Sequence, residues 1–267
     1  MKKKIIRLVN TLHVIKNNKK VYYNYYTKLK KRIYRCLKDN GFKKIKPIER
    51  FQWKLWYNTC YFVGEKENRK VFIKVTGKVM EDVFNNEILV NEYISKESPY
   101  LYERLPKVVS YGYDDDFMFI ATEYKKMELV DDCEELEIAI DDALKEFTRI
   151  GIIHNDFGRI NISICDDKYF FIDYGTSLCP NGKIIRFNKS ANFINNITED
   201  ALKLVDDPDY YYNDAIRVRS KYADINNVNF LVGKDDVYFA RLGKNIYKYK
   251  LKNVVKNSSS CQLVRED

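Results

Sequence analysis

The chain has 267 residues, 45% of them hydrophobic, with 22 Tyr and 15 Phe but only 10 Gly and 5 Pro. That composition supplies a sizeable core and excludes a low-complexity or disordered chain. The formal charge of +9 is unevenly spread: residues 1–50 carry 17 Lys and Arg against two acids, and the remainder carries 30 basic against 36 acidic residues.

The six cysteines are scattered, none lies in a C-x-x-C pair, and with two histidines no zinc spacing exists. They read as ordinary thiols of a reducing cytoplasm. No apolar run approaches the roughly 18 residues a membrane span needs. The start, Met1-Lys2-Lys3-Lys4, has the charge of a signal peptide, but Arg7, Asn10 and His13 interrupt its apolar stretch and no small-residue cleavage site follows. The expectation is a cytoplasmic protein, free or peripheral at the inner face of a membrane.

Residues 1–46 predict two helices. Ile5, Leu8 or Val9, Leu12 and Ile15 recur at helical spacing; so do Tyr22, Tyr25 or Tyr26, Leu29, Ile33 and Leu37, with Asn40-Gly41 as the stop and Pro47 closing the segment. The period then shortens. Strands are predicted over residues 52–56, 60–64 and 70–75, with turns at 57–59 and 65–69. A helix follows over residues 81–95, then strands near 107–112 and 117–123. A second helix, capped by Asp131-Asp132, is expected from Glu134 to Ile150, with Leu136, Ala139 or Ile140, Ala143 or Leu144 and Phe147 on one face. A short strand pair (162–165 and 169–172) comes next. Helices are expected from Thr198 to Val205 and from Asp214 to Tyr222. Residues 228–251 read as short strands with turns at 233–236 and 243–245, and the last dozen residues as frayed.

The strongest chemical signal is Gly151-Ile152-Ile153-His154-Asn155-Asp156-Phe157-Gly158-Arg159-Ile160-Asn161, followed by Phe171-Ile172-Asp173-Tyr174-Gly175. Asp, Asn and Gly in loops are ordinarily turn formers. Together, after a helix and between apolar strands, they suit phosphoryl transfer, which needs a carboxylate at the acceptor hydroxyl and oxygen ligands holding magnesium against phosphates. An Asp and an Asn five apart can supply the base and one ligand, and a second Asp on an opposing strand end completes the set.

This pattern resembles the catalytic loop and Asp-x-Gly of the protein-kinase-like superfamily, which includes aminoglycoside, choline, RIO and lipopolysaccharide heptose kinases. The resemblance implies Asp156 as catalytic base, Asn161 and Asp173 as magnesium ligands, and His154 as support for the loop. Val71-Phe72-Ile73-Lys74 resembles the strand whose Lys holds the α- and β-phosphates. Glu87 and Glu92 are the alternatives for its ion-pair partner; about 140° apart on a helix, they cannot both serve, and Glu87 fits the pattern of the aminoglycoside kinase helix. The loop around Asn58 and Thr59 lacks Gly and is similar to that of small-molecule kinases. The adenine would lie against the backbone of Thr122–Tyr124, making Glu123 and Tyr124 nucleotide contacts. Gly158 stands where Ser/Thr protein kinases carry Lys, with Arg159 beside it. There is no room between Tyr124 and His154 for the acceptor-binding insertion of aminoglycoside kinases, and no Ala-Pro-Glu follows Asp173.

The implied architecture is a bilobal α+β kinase-like fold: an N-terminal helical extension (1–46), an N-lobe of five strands and one helix (47–124) and a mainly helical C-lobe (125–267) with a small β-rich tail (228–251). The implied function is ATP- and magnesium-dependent phosphorylation of a saccharide or glycolipid hydroxyl, as in lipopolysaccharide biosynthesis. The rivals are an atypical protein kinase and a nucleotide-binding pseudokinase scaffold. The basic segment 1–46 reads either as a solvated helical face or as a contact with an anionic membrane, with nucleic acid ranked lower for want of a recognised module. The sequence sets no oligomeric state.

Overall fold

A computed structural model describes residues 28–48, 59–130, 133–154, 156–157, 161–188, 232–234, 237–242, 244–254 and 260–266. The architecture is α+β, and the chain divides into two compact units: Met1–Glu81 with Val108–Tyr124, and Asp82–Lys107 with Lys125–Asp267.

The first unit is built on a five-stranded antiparallel sheet. Its strands are β1 (Lys43–Pro47), β2 (Thr59–Lys66), β3 (Arg69–Gly77), β4 (Val108–Tyr113) and β5 (Phe117–Glu123), in the order β1-β2-β3-β5-β4. Tight turns set the register. Glu67 and Asn68, at φ +51° and +61°, close β2 onto β3 in a two-residue turn whose hand matches the strand twist. Helix α1 (Lys30–Asp39) packs on one sheet face through Ile33 and Leu37, both fully buried, together with Phe42. The facing residues are Cys60, Phe62, Val71, Ile73, Val75, Phe117, Phe119 and Ala121. In β3 the alternation puts Val71, Ile73 and Val75 on this core side. Gly41, at φ +84°, takes the left-handed turn that ends α1 and releases the chain into β1. Arg32 on α1 reaches the β4–β5 turn, pairing with Asp114 and Asp116.

Two expectations change here. Residues 30–46 are not an appendage: α1 fills the core and β1 pairs with β2 at the sheet edge. The fifth strand of the sheet is therefore Lys43–Pro47, whose single apolar residue, Ile45, leaves no alternation to read. The strand expected at residues 52–56 and the helix expected near residues 5–15 lie outside the described residues.

In the second unit, α2 (Glu81–Glu97), the one-turn α3 (Pro99–Tyr102) and α4 (Glu134–Ile150) pack around a common core. Helix α4 buries Leu136, Ile140, Ala143, Leu144, Phe147 and Ile150. It ends at Gly151, φ +74°, and its acidic first turn and basic last turn suit the helix dipole. Its N-cap is Cys133, which makes no side-chain cap bond; the Asp131-Asp132 cap lies outside the described residues. Tyr93 on α2 donates to the Ile150 carbonyl at 2.7 Å, and Ser98, the N-cap of α3, donates to Glu146 at 2.6 Å.

A small sheet joins β6 (Glu128–Leu129), β7 (Ile162–Cys165) and β8 (Lys168–Phe171). The β7–β8 turn is Asp166-Asp167, again with both φ positive. A second five-stranded antiparallel sheet contains β9 (Ile184–Asn188), β10 (Val232–Lys234), β11 (Val237–Leu242), β12 (Asn245–Val254) and β13 (Ser260–Glu266), in the order β10-β11-β12-β13-β9. The C-terminal segment expected to fray is thus an interior strand, paired on both sides. Leu263 and Tyr249 are fully buried in this sheet. The helices expected at 198–205 and 214–222 lie outside the described residues. Among the described residues no helix is long and apolar enough to cross a membrane.

Candidate functional site

The second unit contains Asp156, Asn161 and Asp173. Leaving α4 at Gly151, the chain turns back so that the Ile152 N–H reaches the Phe147 carbonyl at 2.8 Å. Ile153 then pairs with Leu178 through two backbone hydrogen bonds of 3.0 and 2.8 Å. The Ser177 hydroxyl donates to the His154 carbonyl at 2.8 Å. The loop is therefore laced to the segment that follows Asp173.

Asn161 stands at the start of β7 and is buried. Its side-chain N–H group donates to the Asp156 backbone carbonyl at 2.7 Å and to Asp156 Oδ2 at 2.9 Å. This bridge closes the loop and fixes the half-buried Asp156 carboxylate. The Asn161 Oδ1 takes no part in either bond. Across the hairpin, Ile162 faces Phe171, and the Ile172 N–H donates to the Asn161 carbonyl at 3.0 Å, extending the ladder one rung. Asp173 is the next residue, exposed, at φ +68° and ψ +58°. Left-handed backbone at a residue with a β-carbon costs of order 1 kcal/mol and collects at functional turns. The topology thus brings Asp156, Asn161 and Asp173 to one end of the β7–β8 hairpin.

Two features hold that end in place. Tyr174–Thr176 form a single 3-10 turn. Asn86, buried on α2, donates its side-chain N–H groups to the carbonyls of Gly175 at 3.1 Å and Ser177 at 2.7 Å. His154 is buried, its ring 4.5 Å from Tyr174, 5.3 Å from Phe157 and 5.9 Å from Phe147 between centroids. Among the described residues neither ring nitrogen has a partner in hydrogen-bonding geometry. Burial pushes its pKa down to about 4, with the Asp173 charge and the nearby Ile172 backbone pulling weakly the other way. The imidazole is accordingly neutral, a packing element of the loop. Burial also raises the Tyr174 hydroxyl.

The donor chemistry at the hairpin end suits a hard cation: two carboxylates and an amide oxygen, with the imidazole turned into an aromatic cluster. Among the described residues no group of three or more His, Cys, Asp and Glu is placed to hold a metal ion. A magnesium shared with phosphates needs few protein ligands, and carboxylate and amide oxygens are the ligand types it takes.

The remaining sequence-predicted residues fall elsewhere. Lys74 is half-buried at mid-β3, between Tyr61 on β2 and Ile120 on β5, on the sheet face opposite Ile73 and Val75. Thr59 opens β2 on the same face and is buried opposite Thr76. Glu123 ends β5 opposite Val71, and the Tyr124 N–H donates to the Lys70 carbonyl at 3.2 Å while the Lys70 Nζ lies 3.5 Å over its ring. These four belong to the first unit. Glu87 belongs to the second, half-buried on α2, whereas Glu92 is exposed. Asn58, Gly158 and Arg159 lie outside the described residues.

Reading the sequence missed Asn86 and Ser177. An asparagine on the apolar face of α2, flanked by Val83 and Val90, is the signal that marks the first; a serine four residues beyond Asp173 carries none.

No protein-family model and no curated protein matches this chain.

Proposed function

We propose that the protein is an ATP- and magnesium-dependent phosphotransferase of protein-kinase-like, bilobal design, acting on a hydroxyl of a saccharide or glycolipid. The observation that carries the reading is the Asn161–Asp156 bridge, set beside Asp173 at one hairpin end. The bridge fixes the orientation of the Asp156 carboxylate, as a positioned base requires.

In this reading Asp156 accepts the proton of the acceptor hydroxyl and orients that oxygen toward the γ-phosphoryl group. Asn161 has a double role: its N–H group fixes Asp156, and its Oδ1, with the Asp173 carboxylate, would hold the metal. Lys74 would bind the α- and β-phosphates, with Glu87 as its ion-pair partner, and Asn58, Thr59, Glu123 and Tyr124 would border the nucleotide. Bound magnesium supplies charge neutralisation of the phosphates. The choice of a saccharide or glycolipid over a protein acceptor rests on layout, the chain lacking the Ala-Pro-Glu segment of protein kinases.

The test is transfer from γ-labelled ATP to a panel of glycans and glycolipids, run beside a protein substrate and a no-acceptor control. Asp156→Asn is expected to lower the rate by about a hundredfold to ten-thousandfold, the range for a lost general base. Unchanged turnover in that variant would sink the assignment. Label entering protein alone would replace the glycan with a protein acceptor.

A further inference from the structure

Helix α1 presents one basic stripe, with exposed Lys30 and Asp39 outside it. Lys31, Arg35 and Lys38, with Lys28 in the turn before the helix, are all exposed and fall within roughly 80° of the helix circumference at 100° per residue. None of the four makes an ion pair with a described residue. After the Gly41 turn the chain enters the edge strand β1, where Lys43, Lys44 and Lys46 are also exposed, Lys44 being paired with Glu65 at 2.9 Å. A hollow of about 560 Å³ opens on the helix, lined by Lys30, Lys31, Tyr34, Arg35, Lys38 and Asp39.

What α1 lacks is as informative. Its apolar residues are committed: Ile33 and Leu37 are fully buried, and Leu29, Tyr34 and Cys36 pack against the same core. Arg32 is turned the other way, onto Asp114 and Asp116. Such a helix cannot roll over and sink an apolar face into a bilayer, as a free amphipathic helix does. It offers a fixed line of positive charge about 15 Å long (ten residues at about 1.5 Å each), held rigid by a sheet.

We propose that this face, Lys28–Lys38 continued by β1, docks the protein on an anionic lipid surface by charge alone, without insertion. A row about 15 Å long can meet a planar charged surface along its whole length, and basic clusters near acidic lipid gain about 1 kcal/mol per Lys or Arg. The inference stands apart from the phosphotransfer reading, since it requires no catalytic residue.

The test is co-sedimentation of the full chain with phosphatidylcholine vesicles, with and without phosphatidylglycerol. Binding is expected only to the anionic vesicles at about 0.1 M salt, and is expected to vanish near 1 M, where the Debye length falls from about 10 Å to about 3 Å. The triple variant Lys31→Gln, Arg35→Gln, Lys38→Gln is expected to bind about a hundredfold more weakly, at roughly fivefold per charge near an acidic surface. Lys145→Gln with Lys168→Gln, two exposed lysines of the second unit, is expected to bind as the parent does. Absence of binding to anionic vesicles overturns the proposal, as does equal binding by the triple variant. Binding that survives 1 M salt overturns the charge-only mode. Tighter binding to a nucleic acid duplex than to the vesicles at equal salt, lost in the same triple variant, reassigns the face to nucleic acid.

Discussion

Gly175 lies directly against Val83: a β-carbon at position 175 would overlap Val83 Cγ1 and stand 3.1 Å from the Val83 carbonyl oxygen. The glycine after Asp173-Tyr174 is therefore required by the close approach of α2. Gly175→Ala is expected to cost about 1–3 kcal/mol, as overpacking does, read as a lower urea midpoint. Adding Val83→Ala is expected to recover most of it, because the closest contact is a side-chain methyl.

Asn86 ties α2 to the same turn. Asn86→Leu leaves the Gly175 and Ser177 carbonyls buried without donors, at a cost of about 1–3 kcal/mol. Slackening the turn is expected to loosen the left-handed backbone of Asp173, two residues before Gly175. The variant is expected to need more magnesium for half-maximal transfer, measured by titrating the metal, while Asn86→Gln is expected to recover part of the effect.

Asn161→Asp removes the donor of the 2.9 Å bond to Asp156 and sets a carboxylate there. Two like charges at hydrogen-bonding distance do not ionise together, and the pair takes up a proton. Transfer is expected to fall at least tenfold at neutral pH. A rate equal to the parent's, measured over the same magnesium range, would separate Asn161 from the chemistry.

His154 makes stability depend on pH. Its folded pKa of about 4 lies below the unfolded value of about 6.5, so unfolding takes up a proton between them. The contribution is complete above about pH 6.5 and is lost as pH falls toward 4, the loss reaching about 2 kcal/mol at pH 5. His154→Phe, whose ring fits among Phe147, Phe157 and Tyr174, is expected to flatten that slope in urea unfolding at pH 5 and 7.

Strand β13 ties α2 to the segment that precedes β9. Gln262 donates to Asp82 on α2 at 3.1 Å, and Arg265 bonds the Lys183 carbonyl through its backbone N–H at 2.8 Å and Pro180 through its guanidinium. Leu263→Ala, at a fully buried position, is expected to cost about 2–5 kcal/mol. Amide exchange over Ile184–Asn188, the neighbouring strand, is expected to accelerate with it.

The helices α2 and α4, strands β2 to β5 and the β7–β8 hairpin were legible because each carries its own period or turn chemistry within a few residues. The loop from Gly151 to Asn161 and the Asp173-Tyr174-Gly175 turn were legible as a spacing. Strands β1 and β13 were not, because Lys43–Pro47 and Ser260–Glu266 have little alternation, and only a partner supplied from elsewhere makes them strands. Sequence by itself determined which groups are available for chemistry and that the apolar face of α1 must be buried. Only the tertiary structure decided that this face is spent in the first unit's core, and that Asn86, about 90 residues upstream, holds the turn of Asp173. Burial and carbonyl pairing across such separations follow from packing, and packing leaves no local pattern to read.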